Sequence, residues 1–328
     1  MAYEVVTFGE AMIRLSPPVF HRLEQAHSLD LKVGGVELNT AVGLARLGRS
    51  AAWISRLTDN PLGRLIANRA REAGVSTEHV VWTKDDRVGV YFLEFGAAPR
   101  ASSVVYDRKG AAIANIKPGA VPWTTIFPGV KWFHVTGITP ALSASAAEAT
   151  REALEAAKAA SVTTSIDLNY RVKLWTTAEA GKWMSEFMPL CDVLITTEED
   201  AEKVFGITGD NFDEVAAKTA AKFKLKTVAI TLRDNPLVWK NTWSAIAWHG
   251  GKIYRAKSYE VEIVDRLGAG DSFASGFIHA SLDGDVQRAL DFGVAASAIK
   301  HSIPGDFNWV TRDEVETLLK GGGLRISR

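Results

Sequence analysis

The chain has 328 residues, 47% hydrophobic and 23% charged, which allows one large domain or two small ones and argues against disorder. Lysine and arginine together number 38, and so do aspartate and glutamate. Without net charge there is no field to draw nucleic acid or an anionic membrane, while small anions need only a local arginine patch. Cys191 is the single cysteine, so an intrachain disulfide and a cysteine-rich metal site are excluded. No apolar run reaches membrane-spanning length, and a reducing cytoplasm is the expected compartment.

In chain order, strand-like and helix-like segments alternate. Residues 5–8 read as a strand, 37–47 as a helix, 51–55 as a strand and 61–73 as a helix. Strands follow at 131–135, 163–167, 193–196 and 227–231, with helices at 143–160, 198–204 and 213–223 between them. Two late helices begin at Asp271 and Val286. Such alternation predicts an α/β fold with a largely parallel sheet, helices on both faces and ligands beyond the carboxyl ends of the strands. Segments 12–33 and 87–117 lack helical periodicity. In the second, residues 89–95 and 103–108 read as paired strands joined through Gly96 and Pro99. A small separate β-sheet is one reading of this pair and a plain edge hairpin the other.

Residues 265–277 read Asp-Arg-Leu-Gly-Ala-Gly-Asp-Ser-Phe-Ala-Ser-Gly-Phe. Gly268 and Gly270 let the backbone turn so that successive N–H groups face one spot, and a helix starting there adds its free amides and dipole. That makes a phosphate site, and Asp271 at its mouth can take a proton from an attacking hydroxyl. The short string fits equally a tight turn with Asp271 as N-cap. Phe273 replaces the third glycine of a dinucleotide fingerprint, and no Walker A string is present. A second glycine pair opens Gly34-Gly35-Val36-Glu37-Leu38-Asn39, which puts Asn39 on the first turn of a helix.

The two motifs, in this order, resemble the pfkB (ribokinase-like) carbohydrate kinases, over roughly residues 5–319. The resemblance implies a ribokinase-like fold, a central mostly parallel sheet flanked by helices, with a small β-sheet lid. It implies one kinase domain over 1–328, lid segments at about 12–33 and 87–117, and homo-oligomer contacts through the lid. Asp271 is then the general base, and Gly268, Ala269 and Gly270 form the anion hole. Gly34, Gly35 and Asn39 hold sugar hydroxyls.

Arg266 stands where the family signature has threonine, and the resulting Asp-Arg-x-Gly-Ala-Gly-Asp resembles the subgroup acting on 2-keto-3-deoxygluconate. So does the opening at residues 8–18, where Arg14 replaces the aspartate of many sugar kinases. An arginine accepts no hydroxyl proton, so Arg14 suits an acidic surrounding or an acidic ligand. In the same subgroup, Asn169 and Arg171 of the Asp-x-Asn-x-Arg string at 167–171 meet the substrate, with Arg171 on its carboxylate. A guanidinium fork matches two carboxylate oxygens; a surface ion pair is the plainer role. Tyr91, Tyr106 and Arg108 match the subgroup's remaining substrate contacts, and packing within the small sheet is the alternative for the two aromatics.

The resemblance also implies ATP, Mg2+ and a monovalent cation. The family's Asn-x-x-Glu metal motif is altered to Thr-Thr-Glu-Glu-Asp at 196–200. Asp200 is the expected metal carboxylate, with Thr197 in the asparagine's place and Glu199 as the alternative; an acidic first turn also simply suits a helix. Thr231 and Arg233, with Gly268 and Gly270, are expected at the nucleotide, and residues 300–308 near its base. No histidine pair has metal-ligand spacing, and His134 and His279 are expected in or near the core. The expected reaction is ATP-dependent phosphorylation of the 6-hydroxyl of 2-keto-3-deoxygluconate or a close sugar acid. A kinase for a neutral sugar such as fructose or ribose, and a non-catalytic sugar-acid sensor, are the alternatives. Arg14, Arg108 and Arg171 argue for an acid.

Overall fold

The structure, a computed structural model, describes residues 3–237 and 239–322. Strands β1 (Val5–Phe8), β2 (Met12–Ser16) and β3 (Asp30–Gly34) lead into helix α1 (Val36–Arg46). Then come β4 (Ala51–Ile54), β5 (Arg56–Thr58), α2 (Pro61–Glu72), β6 (Val81–Thr83), β7 (Val90–Glu94) and β8 (Ser103–Asp107). Next are α3 (Trp123–Ile126), β9 (Trp132–Thr136), α4 (Ile138–Ala141), α5 (Ala144–Ala159), β10 (Thr163–Asp167), α6 (Thr177–Phe187), β11 (Val193–Thr196) and α7 (Glu198–Phe205). The rest is α8 (Phe212–Phe223), β12 (Thr227–Leu237), β13 (Lys240–His249), β14 (Lys252–Arg255), β15 (Tyr259–Glu262), α9 (Ala269–Ser281), α10 (Val286–Lys300) and α11 (Arg312–Leu319).

The main sheet runs β14-β13-β12-β11-β10-β9-β1-β4, with β15 also paired to β13. From β4 to β12 every pairing is parallel; β13, β14 and β15 pair antiparallel. The parallel strands are apolar on both faces because helices cover both. Successive residues feed opposite cores: Val5, Trp53 and Ile195 pack with Phe273, Phe277 and Phe292. Val6, Phe8, Ile54 and Leu194 pack with Phe127, Phe133 and Leu154. That two-residue alternation fixes the register, since a slip by one would exchange the cores.

Segments 12–33 and 87–117 join in one four-stranded sheet, β3-β2-β7-β8. The β7–β8 hairpin is therefore not a lone edge. It is tied through the parallel pair β2–β7 to the strand just after β1. The antiparallel β13–β15 extension and helices α6 and α11 go beyond the sequence reading. Both helices open on a Thr-x-x-Glu capping box, Thr176 with Glu179 and Thr311 with Glu314, a signal present in the sequence. His134 and His279 are buried. Among the described residues no helix is long and apolar enough to cross a membrane.

Candidate active site

Helix α9 begins at Ala269, two residues ahead of Asp271. Gly268 is its N-cap, with φ at +80°, a left-handed conformation that favours glycine. The Asp306 carbonyl lies where a Cβ of residue 268 would have to go, so a side chain is excluded on space as well. Asp271 is thus in the first helical turn and does not cap it, which removes the turn-and-cap alternative. The first α-helical bond closes from Ser272 N–H to Gly268 O at 2.8 Å. The Gly270 and Asp271 amides precede that bond, where a helix offers no acceptor of its own. Ala269 N–H donates to Arg266 O at a long 3.3 Å.

The Asp271 side chain is 7% exposed, and its Oδ2 accepts from Asn39 Nδ2 at 2.6 Å. Burial pushes its pKa up to about 6; the Asn39 hydrogen bond and the Arg171 charge pull the other way. A carboxylate so placed is ionised at neutral pH yet basic enough to take a proton. Asn39 is held in turn by the first turn of α1. There the buried Glu37 carboxyl accepts from Thr136 N at 3.1 Å, Thr136 Oγ1 at 2.7 Å and Thr139 Oγ1 at 3.0 Å. Burial raises Glu37 to about 8.

Behind the α9 turn lies a buried charge cluster. Arg14, 1% exposed, donates from Nη2 to Asp265 and from Nη1 to Asp306, both at 2.7 Å. Tyr91 OH donates to the other Asp306 oxygen. Asp265 also accepts from Leu267 N at 3.1 Å and Gly305 N at 2.9 Å. Asp306 sits so close to Gly34 that a Cβ there would overlap its carboxylate. Arg14 therefore has an acidic surrounding supplied by the protein. Arg108 likewise pairs with buried Glu10. Of the three arginines read as arguing for an acid, Arg14 meets the acidic surrounding that was one of its two readings, and Arg108 is corrected to a residue with a protein partner, because Glu10 comes from a remote part of the chain. Arg171 alone of the three forms no ion pair within the described residues; its Nη1 donates to Tyr170 O at 2.9 Å.

The residues singled out for the anion hole, sugar, phosphates and metal, from Gly34 to Asp271, line one cavity of about 1270 Å³; Arg14 and most of residues 300–308 do not reach it. That volume exceeds the usual size of a pocket for one small ligand. At one end, Tyr91 and Tyr106 stand with ring centroids 5.9 Å apart, and the Arg108 guanidinium lies 5.3 Å from the Tyr106 ring centre. Facing them is the turn after β10. Asn169 adopts φ +41° there and donates to Asp167 from N at 3.1 Å and from Nδ2 at 3.3 Å. Burial, then the charges of Asp271 and Asp200, push Asp167 up to about 7. Among the described residues, Glu10 Oε1, Arg108 Nε and Asn169 Oδ1 are buried at this end without a hydrogen-bond partner. Such atoms are costly unless a ligand or water meets them.

The other end is walled by β12 and β13, where Arg233 pairs in register with Trp243. Asn241 Oδ1 and Trp243 Nε1 are buried there without partners, and neither residue was anticipated. Of residues 300–308 only His301 and Asp306 reach the cavity. Asn308 is turned inward, donating to Ala296 O at 3.2 Å, so the stretch placed at the nucleotide base is mostly structural.

Asp200 is raised by burial and accepts from Tyr170 N at 3.2 Å. Glu199 is exposed and paired with Lys203, so Asp200 is the carboxylate turned inward. Thr197 caps α7, accepting from Asp200 N at 3.1 Å. Among the described residues no cluster of three or more His, Cys, Asp or Glu could hold a metal alone. Mg2+ arriving with phosphate needs only one or two carboxylates, so Asp200 fits it.

Residues 2–308 match the family described as pfkB family carbohydrate kinase. A 2-dehydro-3-deoxygalactonokinase from Haloferax volcanii is 41% identical over 329 residues, with 100% of both chains covered. A 2-dehydro-3-deoxygluconokinase from Bacillus subtilis is 29% identical, over 97% of this chain and 96% of its own. The crystal structure of 2-dehydro-3-deoxygluconokinase from Thermotoga maritima superposes with a TM-score of 0.95 at 44% identity, covering 98% of this chain and 99% of that one. Matched from end to end, with a glycine-capped helix placing an aspartate in a two-ended cavity, this chain belongs to the pfkB family of carbohydrate kinases.

Proposed function

We propose that the chain transfers the γ-phosphate of ATP to the 6-hydroxyl of a 2-keto-3-deoxy sugar acid of the gluconate or galactonate type. The observation that carries this reading is Asp271, buried in the first turn of α9 beside the Gly270 amide and raised to about 6. The names of the relatives from Haloferax volcanii and Thermotoga maritima support the acceptor class.

The sugar acid lies between the small sheet and the β10 turn. Arg171 takes its carboxylate, Asn39 and Asn169 its hydroxyls, and the distance from carboxylate to Asp271 selects the reacting carbon. Asp271 accepts the hydroxyl proton as the oxygen attacks phosphorus in line. The Gly270 and Asp271 amides stabilise charge growing on the transferred group, and Arg233 and Thr231 hold the remaining phosphates. Mg2+, held through Asp200, offsets phosphate charge when bound. The whole chain forms one domain, with the small sheet as a lid over the sugar. Leu31 and Val105 leave apolar surface on that sheet, which supports pairing of two copies through it.

A neutral sugar such as fructose or ribose is the second reading, favoured by the protein partners of Arg14 and Arg108. An ADP-release assay over both keto-deoxy acids and neutral sugars, with 31P and 13C NMR of the product, tests both. Transfer to carbon 6 of an acid is expected, and Arg171→Ala should raise the KM for the acid roughly 10- to 100-fold, the worth of a lost charged hydrogen bond. Fructose or ribose accepting phosphate as well as the acids would overturn the acceptor assignment. No ADP release from any acceptor would favour the non-catalytic sensor.

A further inference from the structure

Lys300, in the last turn of α10, is fully buried and takes no part in the chemistry above. Its Nζ donates to Ile303 O at 2.9 Å and to Asp265 O at 3.2 Å. Asp265 opens the stretch that carries the anion hole, and Ile303 opens the loop that carries Asp306. The end of α10 is laced to the same turn elsewhere: Val264 N and Asp265 N both reach His301 O, at 2.8 and 3.1 Å, and Ser297 Oγ donates to Ala269 O at 2.6 Å.

A single positive charge among main-chain carbonyls is the surrounding that potassium or ammonium takes when oxygens replace its water. Here the charge is attached to the chain. Asp265 and Asp306 are the neighbouring carboxylates, Arg14 the neighbouring cation and Asp271 the next acid. Two cations, Arg14 and Lys300, thus face two buried carboxylates, Asp265 and Asp306. A dissolved cation at this place would find its carbonyls already occupied and no anion left to meet. The monovalent cation expected from the family resemblance does not fit beside the α9 turn. Burial lowers Lys300 to about 8, so it still carries its proton at pH 7.

We propose that the Lys300 ammonium is a built-in monovalent cation, a positioning residue that holds the Asp265 and Ile303 carbonyls and, through them, the turn at residues 268–271. The inference rests on the kinase reading for its effect on turnover, but not for its effect on ion binding. Turnover of the wild-type protein in chlorides of potassium, sodium, ammonium and tetramethylammonium at equal ionic strength should agree within about twofold, since no site is left to fill. Crystals of the wild-type protein soaked in rubidium chloride should show no anomalous peak at this turn. Lys300→Ala should show one between Asp265 O and Ile303 O. Its kcat should fall at least about tenfold with KM little changed, and potassium or ammonium should restore part of it.

Strong activation of the wild-type protein by potassium, or rubidium bound at its α9 turn, would overturn the proposal, and neither result depends on the variant folding. A folded Lys300→Ala that takes up no rubidium would overturn it as well. If the wild-type protein transferred no phosphate at all, the kinase reading would fail while the rubidium measurements still judged Lys300.

Discussion

In its proposed role Asp271 must be ionised to accept a proton, and the low-polarity surroundings that would make it a useful base also make its charge costly. Burial raises it to about 6 and, nearby, raises Asp167 to about 7. The two interact, so the acid limb of the pH profile belongs to the pair. We predict kcat/KM level above about pH 7.5 and falling as pH drops through 7 to 6. A rate that climbed on acidification would remove Asp271 from the role of base. The stability sign follows from the same shift. Between about pH 4 and 6 the folded state keeps a proton on Asp271 that the unfolded chain has released, so stability declines as pH rises through that window. The place of Asp271 at a glycine-opened helix start was legible in the sequence because its cause is local: glycines, a helix start and a carboxylate within a few residues. Asp306 and Lys300 were misplaced near the nucleotide base, and Glu10 was missed, for the opposite reason. Arg14 and Asp306 are 292 residues apart, Tyr91 and Asp306 215, and Arg108 and Glu10 98. Only the fold brings these partners together.

At the scale of elements, the α9 turn is wedged against the loop carrying Asp306. Gly268 has the left-handed φ and the Asp306 carbonyl against its Cα. Gly268→Ala adds both backbone strain and overlap with main chain that cannot rotate away. We predict a loss of about 2–4 kcal/mol in urea unfolding, together with loss of turnover. A variant as stable as the wild-type protein would show that the turn is not wedged. Five of the six parallel strands were read from sequence to within a residue, since their apolar runs are bounded by helices; β12, read as 227–231, runs on to Leu237 where it pairs with β13. The β13–β15 extension was not read from sequence, because β13 mixes buried and half-buried residues without strict alternation along its length and pairs antiparallel with strands on both sides. Segments 12–33 and 87–117 were read as non-helical. Their union into one sheet depends on the β2–β7 pairing, which no local pattern signals.

Across the whole molecule, one cavity is lined by the small sheet, by Asp271 and by β12–β13, and in the proposed reading the sugar meets the small sheet and the nucleotide meets β12–β13. The small sheet carries Leu31 and Val105 at 39% and 55% exposure. If two copies pair through it, the double variant Leu31→Asp with Val105→Asp should elute as a monomer while the wild-type protein elutes as a dimer in light-scattering chromatography. An unchanged mass would place any dimer contact elsewhere. The central claim is that Asp271 is the base for phosphoryl transfer to a sugar acid. Asp271→Asn keeps the shape and an acceptor for Asn39 but removes the charge. Its direct test is the single-turnover rate of this variant with ATP and 2-keto-3-deoxygluconate, both ligands shown bound by calorimetry. A fall of about 10²- to 10⁴-fold with both ligands still binding is predicted; a rate near that of the wild-type protein would contradict the account.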